Sequence, residues 1–143
     1  MPNPKEYLKQ VKLYDTHINN KLEEIDRLND LVRKITASLS FDPIHGSGNQ
    51  DKLGNAVSCL IDLREEVNKD IDAFVEKKHE ISMVINQITE PDQLRVLYKR
   101  YFSYLTWEQI ACDMHMSHRN VCYIHGKALQ AVGKILEEKK VCT

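Results

Sequence analysis

The fold of the C-terminal part of this chain is decided by one stretch, TWEQIACDMHMSHRNV, at residues 106–121. It opens with the pattern of a capping box, in which Thr106 and Gln109 each bind the other's backbone N–H at the start of a helix. Ser117 is a typical N-cap for a second helix. Only residues 113–116 separate the two helices, and two helices joined by so short a turn form a helix-turn-helix. We therefore predict a helix-turn-helix whose second helix can enter the major groove of DNA.

One more helix is predicted directly before this stretch. The sequence TEPD at residues 89–92 has the spacing of a second capping box, with proline in the first turn. The three helices carry apolar residues at helical spacing, and aromatic residues in such positions usually pack in a core. The predicted core consists of Leu94, Leu97, Tyr98, Tyr101, Trp107, Ile110, Ala111, Met114, Val121, Ile124, Ala128, Leu129 and Val132. The sequence thus predicts a three-helix domain at residues 89–143.

A long amphipathic helix is predicted near the start of the chain. Asn3 followed by Pro4 is typical of a helix N-terminus. Apolar residues then recur three or four positions apart, as on one face of a helix. They are Val11, Tyr14, Ile18, Leu22, Ile25, Leu28, Val32, Ile35 and Leu39. Residues 40–50 contain Pro43 and two glycines, which are strong signals for a break, so we predict a linker there.

A second long helix follows the linker with a stricter heptad repeat. Residues spaced alternately four and three positions apart form a seam along one face of this helix, which would face the partner helix. The predicted seam consists of Leu53, Val57, Leu60, Arg64, Val67, Ile71, Phe74, Lys78, Ile81, Ile85 and Ile88. The basic members of the seam can lay their stems along it while their charged heads reach water. Because two long helices joined by one linker usually fold back on each other, we assign residues 1–88 to an antiparallel, coiled-coil-like hairpin.

The predicted fold class is therefore all-α: a long antiparallel helical hairpin followed by a three-helix helix-turn-helix domain. Only five glycines and four prolines among 143 residues agree with a nearly all-helical chain. A helical hairpin alone buries little apolar core. We therefore expect residues 4–88 to form a homo-oligomer.

Charge and cysteine content narrow the class of protein. The formal net charge is −1, but residues 91–143 hold eight Lys/Arg against five Asp/Glu, a surplus that suits nucleic-acid binding. The four cysteines include no CxxC pair, and no signal peptide or membrane-length apolar run is recognisable, so we expect a cytoplasmic protein with no membrane partner. Without a Gly-rich phosphate loop, a nucleophile elbow or paired carboxylates, the sequence predicts no enzyme and no cofactor.

The residues predicted to contact DNA lie on the second helix of the helix-turn-helix and close to it. If Val121, Ile124 and Ala128 face the core, the opposite face of that helix is polar. Arg119 suits guanine and Asn120 suits adenine, because each side chain can make two hydrogen bonds to the base edge. The predicted set comprises His118, Arg119, Asn120, Cys122 and Tyr123 toward the bases, Lys127, Lys99 and Arg100 toward phosphates, and Ser117 at the helix N-terminus, whose free N–H groups bind anions.

Two other interpretations are open from the sequence. Five residues of metal-binding type lie three or four apart, namely Cys112, His115, His118, Cys122 and His125. The turn between the two helices should separate them, so we expect no metal site. Alternatively, the hairpin carries the function, and the protein is a non-enzymatic coiled-coil interaction protein or a DNA-packaging or architectural protein.

Residues 94–129, LRVLYKRYFSYLTWEQIACDMHMSHRNVCYIHGKAL, resemble region four of bacterial sigma factors, the part that reads the −35 promoter element. The resemblance is carried by TWEQIA at residues 106–111 and by SHRNV at residues 117–121, followed by IHGKAL. It implies contact with RNA polymerase and with double-stranded DNA, the latter through His118, Arg119, Asn120, Cys122 and Tyr123. Since Cys122 and Tyr123 replace the polar residues usual in sigma factors, −35 specificity is not implied.

The chain also resembles a family of small phage and prophage proteins described as ArpU-like or RinA-like late transcription regulators. The likeness lies in HGKALQ at residues 125–130 after the TWEQIA helix, and it extends more loosely over the helical N-terminal part. It implies a sequence-specific transcription regulator that activates late genes in the cytoplasm of a bacterial host. The chain has no region that would melt a −10 element, so a complete sigma factor is not implied.

Overall fold

The computed structural model describes residues 3–41 and 46–141. Within these residues there are five α-helices and no β-strand, which confirms the predicted all-α fold class. In chain order the helices are α1 (Pro4–Phe41), α2 (Gly46–Ile85), α3 (Pro91–Leu97), α4 (Trp107–Asp113) and α5 (His118–Val141). A π-helical turn, Tyr98–Phe102, continues α3 directly.

The two long helices extend further into the predicted linker than the sequence suggested. α1 continues to Phe41 and α2 begins at Gly46, so both ends of the predicted linker, residues 40–50, are helical. Gly46 and Gly48 lie in the first turn of α2, and glycine is tolerated better at a helix start than in its interior. The rest of the predicted linker, residues 42–45, lies outside the described residues.

Internal contacts divide the chain into two compact units. One unit is Asp15–Ala73, and the other combines Met1–Tyr14 with Phe74–Thr143. We call the first the hairpin unit and the second the base unit. This division differs from the predicted boundary after residue 88, because the ends of both long helices share a core with the C-terminal helices.

In the hairpin unit the two long helices run antiparallel, as predicted. Ile25, Leu60 and Val67 form its buried cluster. Lys21 Nζ lies 2.6 Å from Asp70 Oδ2, so a residue near the start of this unit on α1 meets a residue near its end on α2. An antiparallel hairpin is the arrangement that places these two residues side by side.

The predicted heptad seam of α2 is only partly correct. Its members Leu60, Val67, Ile81 and Ile85 are buried. Arg64 and Lys78 are exposed, as seam residues whose charged heads reach water would be, but Ile71 is also exposed. Asp70 is turned inward in place of Ile71, of which 39% is accessible. The ion pair between Asp70 and Lys21 favours this rotation, because it places both charges beside each other on the facing sides of the helices.

The base unit contains two buried clusters. The larger joins the start of α1 and the end of α2 to α3, its π-helical turn and α5, and its most deeply buried members include Leu8, Ile81, Ile85, Leu97 and Val132. The smaller joins α3, α4 and α5 through Val96, Ile110, Ala111 and Val121. Most of the predicted core of the helix-turn-helix is thus buried or half-buried in these clusters, as expected.

The start of α3 differs from the capping box predicted at residues 89–92. The helix begins at Pro91, and its N-cap is Glu90, with φ −79° and ψ 115°. A residue before proline is driven into this extended region, so Glu90 lies outside the helix. The described chain gives Glu90 no side-chain capping bond, and its carbonyl accepts from Leu94 N at 3.1 Å.

Charge is distributed unevenly between the two units. The hairpin unit holds seven Lys/Arg and twelve Asp/Glu, a formal net charge of −5. The base unit holds thirteen Lys/Arg and nine Asp/Glu, a formal net charge of +4. The surplus of positive charge therefore belongs to the unit that contains α4 and α5.

Candidate nucleic-acid interface

The first helix of the helix-turn-helix, α4, starts as the sequence predicted. Gln109 N donates to Thr106 Oγ1 at 3.2 Å, and Thr106 N donates to Gln109 Oε1 at 2.9 Å. Both hydrogen bonds of the capping box are therefore present. The helix that begins there buries Ile110 and Ala111 in the smaller cluster.

The turn between α4 and α5 is a Schellman motif. Met116 N donates to Ala111 O at 3.0 Å and His115 N donates to Cys112 O at 3.3 Å, the two hydrogen bonds that define this helix ending. His115 takes the left-handed backbone conformation, with φ 54°, at the position that glycine usually occupies. Sequence reasoning missed the motif because its usual signal, a glycine, is absent.

We expect His115→Gly to raise the free energy of unfolding by about 0.5–1 kcal/mol, because glycine reaches positive φ without the steric clash of a Cβ atom. Urea unfolding followed by circular dichroism measures the change. His79→Gly is the matched control, since His79 is an exposed residue within α2, where glycine should instead destabilise by about 1 kcal/mol. The same loss of stability in both variants would contradict backbone strain at His115.

The candidate recognition helix, α5, begins directly after Ser117. Asn120 N donates to Ser117 Oγ at 3.1 Å, which is the N-cap bond that the sequence predicted. Val121 is fully buried in the smaller cluster, together with Val96 and Ile110. This contact fixes the first turns of α5 on α4 and determines which side chains point away from the core.

The outer face of α5 carries the residues that were predicted there. All six are exposed: His118, Arg119, Asn120, Cys122, Tyr123 and Lys127. Tyr123 is 65% accessible, and Lys127 Nζ lies 5.7 Å from the centre of its ring, within cation–π range. Cys122 Sγ lies 3.7 Å from His118 Nδ1. The structure thus brings a basic, aromatic and amide-bearing set onto one helix surface.

Gly126 lies on the same face, one turn beyond Cys122 and Tyr123. It is exposed, and in the described part of the chain nothing beyond its own helical neighbours lies within 4 Å of where its Cβ would be. Glycine inside a helix is about 1 kcal/mol less favourable than alanine. The absence of a side chain leaves the backbone of α5 open to a close approach by a partner.

Lys99 and Arg100, predicted to contact phosphates, have partners within the base unit. Lys99 Nζ lies 3.4 Å from Asp113 Oδ2, which ties the π-helical turn to the end of α4. The Arg100 guanidinium lies 4.4 Å from the Trp107 ring centre, and its Nη1 donates to Leu105 O at 2.9 Å. Both side chains are half-buried, and their contacts stabilise the packing of the π-helical turn against α4 and the loop before it.

His125 is a buried member of the unit, whereas the sequence singled it out only as one of five residues of metal-binding type. Its Nε2 shares a hydrogen bond of 2.7 Å with the Tyr101 hydroxyl, and the Trp107 ring meets its ring edge-on at 4.6 Å. Burial, together with the nearby positive charges of Lys5 and Arg100, lowers the pKa of His125 to about 4. Burial also raises the pKa of Tyr101 to about 12, so both groups are neutral near pH 7.

The five residues of metal-binding type are not gathered into one site. His125 is buried against Tyr101, whereas Cys112 and Cys122 are exposed thiols. Among the residues that the structure describes, no group of three or more His, Cys, Asp or Glu is close enough to hold a metal ion. The prediction that the protein needs no metal remains to be measured.

Comparison with known proteins places this arrangement in a family. Residues 12–132 match the family model described as "Protein of unknown function (DUF722)". The chain belongs to the DUF722 family. The DUF722 model begins within α1 and ends within α5, so it covers the two long helices and the helix-turn-helix together. No curated protein and no solved structure matches the chain.

One DUF722 family model thus covers parts of both compact units. Within the described ranges of this DUF722 protein, no helix is long and apolar enough to cross a membrane.

Proposed function

We propose that this protein is a sequence-specific DNA-binding transcription regulator without enzymatic activity. The observation that carries the proposal is the α4–turn–α5 unit, in which a capping box, a Schellman turn and an N-cap follow one another around the buried Val121. Such a unit presents the N-terminal residues of its second helix to base edges in the major groove. In this chain those residues include Arg119 and Asn120, which are both exposed.

Three exposed side chains of α5 and one glycine have roles in this proposal. Arg119 and Asn120 read guanine and adenine, respectively, through paired hydrogen bonds. Lys127, two turns further along the helix, binds a phosphate and positions the helix without reading sequence. Gly126 lets the helix backbone come close to the duplex, because no side chain stands between them there.

Selection of bound sequences from random DNA tests the proposal directly. Arg119→Ala should then weaken binding to the selected site by about 1–3 kcal/mol, or about 5- to 150-fold, and relax the preference at one base pair. Arg33→Ala is the matched control, since Arg33 is 80% exposed and lies in the hairpin unit. Failure to select any sequence, or equal binding by both variants and the parent, would reject sequence reading by α5.

The biological setting rests on the resemblances. They support a phage- or prophage-encoded activator of late genes that contacts RNA polymerase in the cytoplasm of a bacterial host. A reporter gene driven by the selected site, combined with footprinting of the same DNA, tests this setting. Footprints inside genes or at packaging sites, with unchanged expression, would favour the packaging or architectural alternative instead.

We also propose that the protein acts as a homo-oligomer through its long helices. The support is a set of large apolar side chains that the hairpin unit leaves exposed: Leu22, Leu31, Ile61 and Ile71. Covering such side chains in an interface between chains would remove apolar surface from water, which favours association. A second recognition helix would also supply specificity that one helix-turn-helix lacks, because dimers bind paired half-sites.

A further inference from the structure

Three lysines form a ridge on the first turns of α1. Lys5, Lys9 and Lys12 are four and three residues apart, so they lie on one face of the helix, and all three are exposed. We call them the α1 lysine ridge. Sequence analysis did not single them out, because they lie far along the chain from the helix-turn-helix.

The ridge is placed unfavourably for the isolated protein. Like charges three or four residues apart destabilise a helix by a few tenths of a kcal/mol per pair. Lys5 also lies in the first turn of α1, where the helix dipole favours a negative charge. Throughout the described residues, none of the three lysines forms an ion pair, although Lys77 and Lys99 of the same unit do. The Lys12 ammonium lies 5.9 Å from the centre of the Tyr104 ring, a contact that leaves its charge uncompensated. The positive charges of the ridge would therefore be compensated if a polyanion bound to it.

The N-terminal end of the ridge lies close to α5. Pro4 Cγ lies 3.3 Å from the position that a Cβ would take at Gly133, so the first turn of α1 touches α5. A groove between them is lined by Asn3, Pro4 and Gln130, among others. Gln130 is exposed and lies one turn beyond Gly126, on the face that carries Tyr123. Lys5 is also close enough to His125 to lower its pKa.

We propose that the α1 lysine ridge binds the sugar–phosphate backbone of the same duplex that α5 reads. This inference rests on the proposed function, and it extends the DNA surface to an element outside the helix-turn-helix. The ammonium groups contact phosphodiester oxygens, so their contribution is independent of base sequence. It weakens as salt rises, because binding releases counterions condensed on the DNA and this release is less favourable at high salt. DNA is the partner that the ridge favours, because the ridge is positively charged and begins directly after Pro4, which contacts α5.

The test compares three forms of the full chain on the selected duplex and on a random duplex, over a series of salt concentrations. Lys5→Gln/Lys9→Gln/Lys12→Gln should lower the slope of log K against log salt by about two to three, and should weaken binding to both duplexes by about 10- to 100-fold. The matched control, Lys34→Gln/Lys52→Gln/Lys69→Gln, removes the same charge from exposed positions of the hairpin unit and should bind nearly as the parent does. Lys5→Arg/Lys9→Arg/Lys12→Arg keeps the charge and should retain binding.

Each outcome separates the inference from the proposed function. If the parent binds the selected site and Arg119→Ala loses discrimination, but the two glutamine triples bind equally, the ridge does not contact DNA. In that case the inference is overturned and the proposed function stands. A parent that binds no DNA overturns both. Selective loss in the ridge triple, with a circular dichroism spectrum like that of the parent, supports the ridge as a phosphate-binding surface.

Discussion

Acidification from pH 7 to pH 4 is expected to lower the free energy of unfolding by about 2–3 kcal/mol through His125 alone. The pKa of His125 is lowered to about 4 in the folded protein, whereas an unfolded chain has the ordinary value near 6.5. Between about pH 4 and pH 6.5, His125 is protonated in the unfolded chain but neutral in the folded chain. The stabilisation is therefore complete above about pH 6.5 and is lost as the pH falls to about 4.

His125→Gln isolates this contribution, because glutamine can still hydrogen-bond to the Tyr101 hydroxyl and does not titrate. Urea unfolding at several pH values should show that the free energy of unfolding falls more steeply with decreasing pH in the parent than in this variant. His79→Gln controls for the loss of an imidazole at an exposed position. A constant difference between the parent and His125→Gln over the whole range would contradict a buried neutral imidazole.

Val67→Asp and Ile71→Asp are expected to have very different effects, although both residues belong to the seam predicted from the sequence. Val67 is 4% accessible and packs with Ile25 and Leu60. A carboxylate buried there without a partner destabilises by several kcal/mol, so the hairpin unit should unfold. Ile71 is 39% accessible, so a carboxylate there stays hydrated in the monomer and becomes costly only at an interface between chains.

Circular dichroism and light scattering at tens of micromolar protein distinguish these results. Val67→Asp should lose helix content, whereas Ile71→Asp should keep it and scatter as a smaller particle than the parent. Ala73→Asp is the matched control, because it adds the same charge at an exposed position on another side of α2. A monomeric parent would reject the proposed oligomer, and an Ile71→Asp variant as large as an oligomeric parent would exclude Ile71 from the interface.

The features that depend on neighbours in sequence could be predicted. The capping box at Thr106 and the N-cap at Ser117 each involve groups three residues apart, so the residue types themselves specify the start of α4 and of α5. The outward direction of Arg119 and Asn120 then follows from the burial of Val121, because helical periodicity relates these positions. For the same reason the candidate interface on α5 could be predicted from sequence.

The features that depend on contacts between distant helices could not. α2 has apolar residues on either side of the face that contains Leu60 and Val67, so its sequence alone does not specify how the helix is rotated. The ion pair between Asp70 and Lys21 of α1 favours the rotation that is observed. His125 has the spacing of a core residue, four after Val121, but its residue type pointed elsewhere. Its burial depends on Tyr101 and Trp107, which come from two other elements.

The opposite charges of the two units have a consequence for how the protein would approach a duplex. DNA is a dense polyanion, so it attracts the base unit, with its net charge of +4, and repels the hairpin unit, with its net charge of −5. Within a Debye length, about 10 Å at 0.1 M salt, a duplex would therefore attract the base unit and repel the hairpin unit before contact. Encounters that begin at the base unit would thus be favoured over encounters that begin at the hairpin unit.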